Sequence, residues 1–202
     1  MPIYVYPPEH RMTHVIRQRF RLSLSKYYVG WSDGFDEQFD SRAVLFAYSE
    51  HPDADPLATF RIVHRAYGGV VGKLPVETGD VSDFVHLDGD GDRTVEGTSL
   101  CYVEAVHGMS VVHGAVRWFL SKGLRRGYVI HDPRNRIMRK FHLDLLGLKL
   151  VPNAKVIFGS FKRRRTLEPV EWHVAQGDEE TFANAVENLE RAGAVPVPIV
   201  EV

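Results

Sequence analysis

An acid inside an apolar run is the first residue of this chain with chemistry to offer. Thr98 to Val106 is rich in β-branched and apolar residues and is interrupted by one carboxylate, Glu104. In a buried strand the charged form of a carboxylate is destabilised, which raises its pKa and suits it to take a proton at neutral pH. A strand that leads into a helix is also where α/β enzymes often keep their chemistry. The same residue reads equally well as a salt-bridged Glu in a core strand. Further residues precede it: Arg21 and Trp31 stand ten apart, Glu37 and Asp40 close the run EQFD, and Arg61 lies within TFRIV. Each has an ordinary explanation alone: Trp31 as core, the two acids as a solvated loop, Arg61 as an ion-pair partner. Their common order and spacing marks them as one candidate constellation.

Other motifs fail on their chemistry. Asp88 to Asp92 begins like a calcium loop, but Arg93 replaces the turn glycine and Ser99 stands where a bidentate Glu is needed. His10 and His14 are four apart, yet Arg11 follows the first where a zinc protease needs its Glu. No metal site is expected. Cys101 has no adjacent activating group and reads as core packing. There is no nucleophile elbow, no P-loop and no dinucleotide fingerprint. The run Lys162 to Arg165 follows a predicted strand and has no nucleic-acid module around it, so no nucleic-acid partner is expected.

The elements that must position these residues follow from periodicity. Glu9 to Tyr28 is a predicted helix, and Ser32 to Asp40 an acidic loop. Ala43 to Tyr48 and Leu57 to His64 form a hairpin around the turn His51 to Pro56. Ala66 to Gly97, rich in Gly and Asp, is a predicted long loop with a short helix near Val81 to Leu87. The strand Thr98 to Val106 then passes through Gly108 into a helix that starts near Ser110. Its stripe is Val111, Val112, Ala115, Val116, Phe119 and Leu120, and Gly123 ends it. Gly127 to Ile130 is a buried strand. Asp132 and Pro133 open a helix that runs to Gly147. Val156 to Phe161 pairs with Val170 to Val174, and Asp178 to Ala192 is the last helix. A strand–helix–strand crossover makes parallel neighbours. The fold class is therefore α/β: a mixed, mostly antiparallel sheet with a parallel βαβ centre, flanked by helices.

At 202 residues the chain reads as one domain, 1–202, with no internal repeat or linker. No apolar run reaches the roughly 20 residues of a membrane span. The first residues lack the charged and apolar regions of a signal peptide, and the one cysteine suits a reducing compartment, so the expected location is cytoplasmic. A net charge of −1 conceals an asymmetry: 14 of the 25 Lys and Arg residues lie between Arg117 and Arg165, against only Asp132 and Asp144. Such a half suits a phosphate-bearing or acidic partner as well as a plain solvated face.

Taken together these residues resemble the acyl-homoserine-lactone (autoinducer) synthases and the related long-chain N-acyl amino acid synthases, within the GNAT fold. The resemblance spans about Arg21 to Lys149. Its carriers are the Arg-to-Trp spacing of Arg21 and Trp31, a D-x-F-D loop met by Glu37 to Asp40, an R-L-x-P-like segment met by Arg61 to Val63 without its Pro, and an E-x-S-R strand set against Glu104 to His107. Ser25, Val106 and His107 depart from the family's Phe, Ser and Arg.

The resemblance implies an N-acyltransferase that moves a fatty acyl group from a thioester to the amine of an amino acid or related substrate. It implies Glu104 as base and oxyanion donors from the backbone near Val103 to Val106. Arg21, Trp31, Glu37, Asp40, Arg61 and His107 would bind the amine substrate. The acyl chain would lie between the two central strands, against Cys101, Val103, Val106 and Ile130. The pyrophosphate loop of acetyl-CoA-dependent relatives is absent from His107 to Ala115. An acyl carrier protein, bearing the acyl group on phosphopantetheine, is therefore the expected donor, with acyl-CoA as the alternative. No permanently bound cofactor is implied. An acidic carrier would meet Arg117, Lys122, Arg125, Arg126, Arg136, Arg139 and Lys140. A GNAT-like binding module without activity is the remaining alternative.

Overall fold

The computed structural model describes residues 1–31, 33–81 and 91–202. The predicted helix at Val81 to Leu87 and the calcium-like run at Asp88 lie for the most part outside these residues. In chain order the elements are β1 (Ile3–Tyr6), α1 (Met12–Leu24), β2 (Tyr28–Val29), α2 (Asp33–Glu37), β3 (Ala43–Tyr48) and β4 (Ala58–His64). The small strands β5 (Ala66–Tyr67), β6 (Val70–Val71) and β7 (Asp80–Val81) follow, then β8 (Thr94–Tyr102), α3 (Ala105–Ser121), β9 (Arg126–His131) and α4 (Arg136–Lys140). The chain closes with β10 (Lys149–Arg163), β11 (Pro169–Asp178), α5 (Glu179–Arg191) and β12 (Ile199–Glu201).

Among the described residues ten strands form one sheet in the order β12-β1-β3-β4-β8-β9-β11-β10-β2, with β7 beside β10. β1 with β12 and β8 with β9 are the parallel pairs; every other pairing in this sheet is antiparallel. The expected mixed sheet with a parallel βαβ centre is what the chain forms, β8–α3–β9 being the crossover. All six residues of β3 are buried, as suits a strand covered on both faces.

The two faces carry separate cores. On one, Val111, Val112, Ala115, Val116 and Phe119 of α3 pack with Phe182, Ala185 and Leu189 of α5 over Val44, Phe46, Ile62, Val95 and Val129. A Cβ at Gly114 would come within 2.3 Å of Ile3 Cδ1, so α3 lies close to the sheet here and a larger residue would require Ile3 to shift. On the other face Phe39, Val63, Leu74, Val76, Tyr128 and Trp172 pack together beneath α1 and α2.

Several boundaries differ from the sequence reading. α1 is shorter than Glu9 to Tyr28, because Tyr28 and Val29 pair with β10 as a strand. The supposed loop Ala66 to Gly97 contains three short strands and the first residues of β8. The central strand is therefore β8, ending at Tyr102 rather than Val106. α3 starts at Ala105, with Gly108 in its first turn where a Cβ would meet the Tyr102 ring at 2.7 Å. Asp132 does not cap a helix. It is paired with Arg163 at 2.6 Å, and Asn135 caps α4 instead, its side chain accepting from Met138 N–H at 3.1 Å.

Candidate active site

Strand alternation decides which side chains meet. Phe60 and Ile62 of β4 face α3, so Thr59, Arg61 and Val63 face α1 and α2. Their β8 partners Cys101, Thr98 and Glu96 face the same way. On this face Arg61, only 2% exposed, donates from Nη2 to Asp36 Oδ1 at 2.6 Å. The other oxygen of Asp36 accepts from Trp31 Nε1 at 2.6 Å. Asp40 lies beside them, its Oδ1 3.9 Å from Arg61 Nη1 and its Oδ2 accepting from Arg17 Nη1 at 2.7 Å. Burial raises the Asp40 carboxyl above its usual range, with Arg17 and Arg61 opposing.

The parallel strands β8 and β9 pair only at Thr94–Arg126, Val95–Gly127 and Glu96–Tyr128. Beyond that point β8 continues along β4 and β9 along β11, so a notch opens between them. Glu96 stands at its apex and is fully buried. Its Oε2 accepts from Val76 N–H at 2.6 Å, while Oε1 meets no donor among the described residues. Burial pushes its pKa up to about 8, against the Val76 hydrogen bond and the nearby Arg61, which lower it. One turn up the strand, Ser99 and Leu100 together oppose the single residue Phe60, and Ser99 takes φ 57°. That is a β-bulge, which aims backbone groups away from the ladder.

The structure thus brings together Trp31, Asp40 and Arg61, around an Asp36 that the sequence reading passed over in favour of Glu37. Glu37 sits at the rim, 56% exposed and 3.6 Å from Arg17. The spacing of Asp36 and Asp40, four residues apart, was the available signal, since residues so spaced share one side of a helical turn. Arg21 occupies the last turn of α1, half-buried. His107 is not part of the cluster: it lies in α3, with its ring against Tyr48 at 5.6 Å.

Glu104 requires the main correction. It is not in a buried strand; it is exposed, with extended backbone, at the N-terminal boundary of α3. The strand-borne acid is Glu96, and Glu96-Gly97-Thr98 is the segment with an acid and a hydroxyl two apart on one strand face. The bulge likewise lies at Ser99 and Leu100 rather than near Val103 to Val106. Of the proposed acyl-cleft residues, Cys101 and Ile130 lie on the Arg61 face, whereas Val103 is 65% exposed past the end of β8 and Val106 belongs to α3. Burial raises the Cys101 thiol pKa.

The basic residues do not form one surface. Arg117, Lys122, Arg125 and Arg126 lie along or beyond the far half of α3, where Lys122 pairs with Glu201 at 2.7 Å. Arg136, Arg139 and Lys140 lie on α4, past the carboxyl end of β9 and near the mouth of the notch. The 17-residue α3 between these ends is about 25 Å long. A depression of about 450 Å³ next to Asp40 is bounded by His14, Arg17 and Glu37, with Glu9, His10, Arg11 and Thr13 completing its rim. A larger one, about 560 Å³, lies at the amino end of β9 between Arg125, Arg126 and the acids opening α5. It lies at the opposite end of β9 from the notch.

No family model and no curated protein matches the sequence. Solved structures do match. The CoA-dependent acyl-homoserine lactone synthase MesI superposes with a TM-score of 0.57 at 14% identity, over 98% of each chain. FeeM, an N-acyl amino acid synthase from uncultured soil microbes, gives 0.57 at 14% identity, over 93% of this chain and 98% of its own. An acetyltransferase of the GNAT family from Streptococcus pneumoniae gives 0.52 at 9% identity, over 87% and 99%. The chain has the GNAT fold. The resemblance in sequence to autoinducer and N-acyl amino acid synthases is therefore matched at the level of fold. In the GNAT fold of this chain, the β8–β9 notch, the Ser99 bulge and the Arg61 cluster adjoin one another on the sheet. No described helix is long and apolar enough to cross a membrane.

Proposed function

We propose that this chain is an N-acyltransferase that moves a fatty acyl group from a phosphopantetheine thioester to the amine of an amino acid or related substrate. The observation that carries the reading is Glu96, a fully buried acid at the apex of the notch, one oxygen of which meets no donor among the described residues. An α-amine is largely protonated at neutral pH and attacks only after losing a proton. A carboxyl whose pKa is about 8 is well matched to take it, directly or through water. Backbone N–H groups of the Ser99–Leu100 bulge are the candidates for the developing oxyanion. Asp36 has both oxygens engaged, so it organises Arg61 and Trp31 rather than binding substrate. Asp40, which borders the depression and whose Oδ1 meets no hydrogen-bond donor among the described residues, is the better carboxylate for the ammonium group. Glu37 at the rim adds charge of the same sign, and half-buried Arg21 is the cation on α1 assigned to the substrate.

For the donor, the run Arg134 to Lys140 contains four cations and no acid. It suits an acidic acyl carrier protein at the mouth of the notch. The phosphates of CoA would use the same charges, and likeness to the CoA-dependent MesI favours that second reading. The test offers one acyl chain on carrier protein and on CoA, with a panel of amino acids, and follows products by mass spectrometry. Turnover with acyl-carrier protein at lower donor concentration is expected. Glu96→Gln should abolish it, and Glu104→Gln should leave it within twofold. No product from either donor would favour the binding-module alternative.

A further inference from the structure

A chain of hydrogen bonds crosses the site and ends on Ser99. Arg61 Nε donates to Thr98 Oγ1 at 3.0 Å. A guanidinium cannot accept, so the proton of Thr98 must point elsewhere. Thr98 Oγ1 lies 3.1 Å from Ser99 Oγ. The Thr98 hydroxyl is free to donate to Ser99, and in that arrangement Ser99 keeps one proton to offer to a further acceptor. The chain is anchored at its far end, because Arg61 is held by Asp36 and Asp36 by Trp31. Ser99 itself is 6% exposed, at φ 57°. A non-glycine residue in that region is strained and persists where its surroundings hold it. Here it is the bulge residue beside the edge of β8 that β9 has left open.

We infer that the Ser99 hydroxyl is a catalytic hydrogen-bond donor, held by the Trp31–Asp36–Arg61–Thr98 chain so that its proton meets the thioester carbonyl oxygen. The inference rests on the acyl-transfer reading above. In the step it serves, the amine lone pair forms a C–N bond to the carbonyl carbon. The C=O π pair moves to oxygen, where the Ser99 O–H and the bulge N–H groups stabilise the negative charge. The first amine proton, lost from the ammonium before attack, has gone through Glu96 to solvent, and the second, on the nitrogen of the tetrahedral adduct, passes to Glu96. When the oxyanion collapses, the C–S bond breaks with its pair on sulfur. The thiolate is then protonated by the proton held on Glu96, relayed through solvent. Ser99 donates a hydrogen bond throughout and loses no proton. Because the donor is preorganised in a buried setting, its removal has a large effect on the transition state and a small one on substrate binding.

Two readouts test this. With the full-length protein and acyl thioester plus amino acid, Ser99→Ala should lower kcat by roughly 10²–10³-fold with KM for the amine unchanged. Ser99→Gly, which relaxes the backbone while removing the hydroxyl, should show the same loss with equal or higher thermal stability. Thr98→Val keeps the hydroxyl but leaves it undirected, and should fall between these and wild type. The second readout needs no turnover. The infrared carbonyl band of a ¹³C-labelled acyl-pantetheine should shift to lower frequency on binding wild type, and the shift should shrink in Ser99→Ala. Wild-type turnover with an unchanged Ser99→Ala kcat and band would overturn the role of Ser99. A Ser99-dependent band without amine acylation would keep it and instead overturn the acyl-transfer reading. Absence of both turnover and thioester binding would overturn the two together.

Discussion

Replacing Glu96 by Gln tests whether burial makes this carboxyl a base, and the expected size follows from its surroundings. The group is fully buried, and its pKa stands at about 8 against an ordinary 4.5. Between those values the folded chain holds a proton that the unfolded chain has released, so stability must fall as pH rises. The stability linked to this proton is fully present below about pH 4.5 and is lost as pH rises through about 8. At 1.36 kcal/mol for each pKa unit the whole interval amounts to about 5 kcal/mol. Between pH 5 and pH 8 the linkage relation gives about 3 to 4 kcal/mol. Glutamine keeps an acceptor for Val76 N–H and has nothing to ionise. Urea unfolding of both proteins at each pH unit from 5 to 8 should therefore give curves that diverge by that amount, with the variant the more stable at pH 8. The wild-type rate should climb toward pH 8 over the same interval. Parallel stability curves would show that Glu96 is charged in the fold throughout, and the argument from burial would fail.

Two further outcomes follow from the same geometry. Asp36→Asn leaves a guanidinium that is 2% exposed facing only the more distant Asp40, 3.9 Å away, and should cost about 3 kcal/mol in denaturant unfolding. The paired change Arg61→Met with Asp36→Leu should recover most of that loss, because no charge is then stranded. Neutralising Arg136, Arg139 and Lys140 together should raise KM for the acyl donor about tenfold or more and weaken its dependence on salt. The triple Arg117, Lys122 and Arg125 change should leave both within twofold, and equal effects from the two triples would refute the division of the basic residues into separate surfaces.

Much of this fold was legible in residue order. The hairpin of β3 and β4 announced itself through two apolar runs around a Pro- and Asp-rich turn, and the stripe Val111 to Leu120 announced α3. With β9 following, a parallel crossover had few alternatives. Arg61, Trp31 and Asp40 were also readable, because a charged residue inside an apolar strand and an aromatic beside an acidic run are local anomalies. Glu96 was not. Its neighbours Gly91 to Arg93 and the Gly97 beside it look like loop, and the residues that bury it, Val76 and Tyr128, come from distant parts of the chain. Glu104 misled for the converse reason: its flanking valines imply a buried strand, yet β8 has already ended and the carboxylate lies in solvent at the N-terminal end of α3.

The sequence alone therefore determined the mixed α/β layout, the helix stripes and the residue types on which the proposed acyl transfer draws, since those depend on periodicity and on spacing along the chain. Which acid is buried, which face of β4 Arg61 takes, where β8 parts from β9 and where the bulge falls were decided only in three dimensions. A pKa, a notch and a directed hydrogen bond each depend on groups from different strands meeting out of water, and no local pattern encodes that meeting. The chain does hold an acid in a buried strand, and tertiary burial places that feature at Glu96 rather than at Glu104.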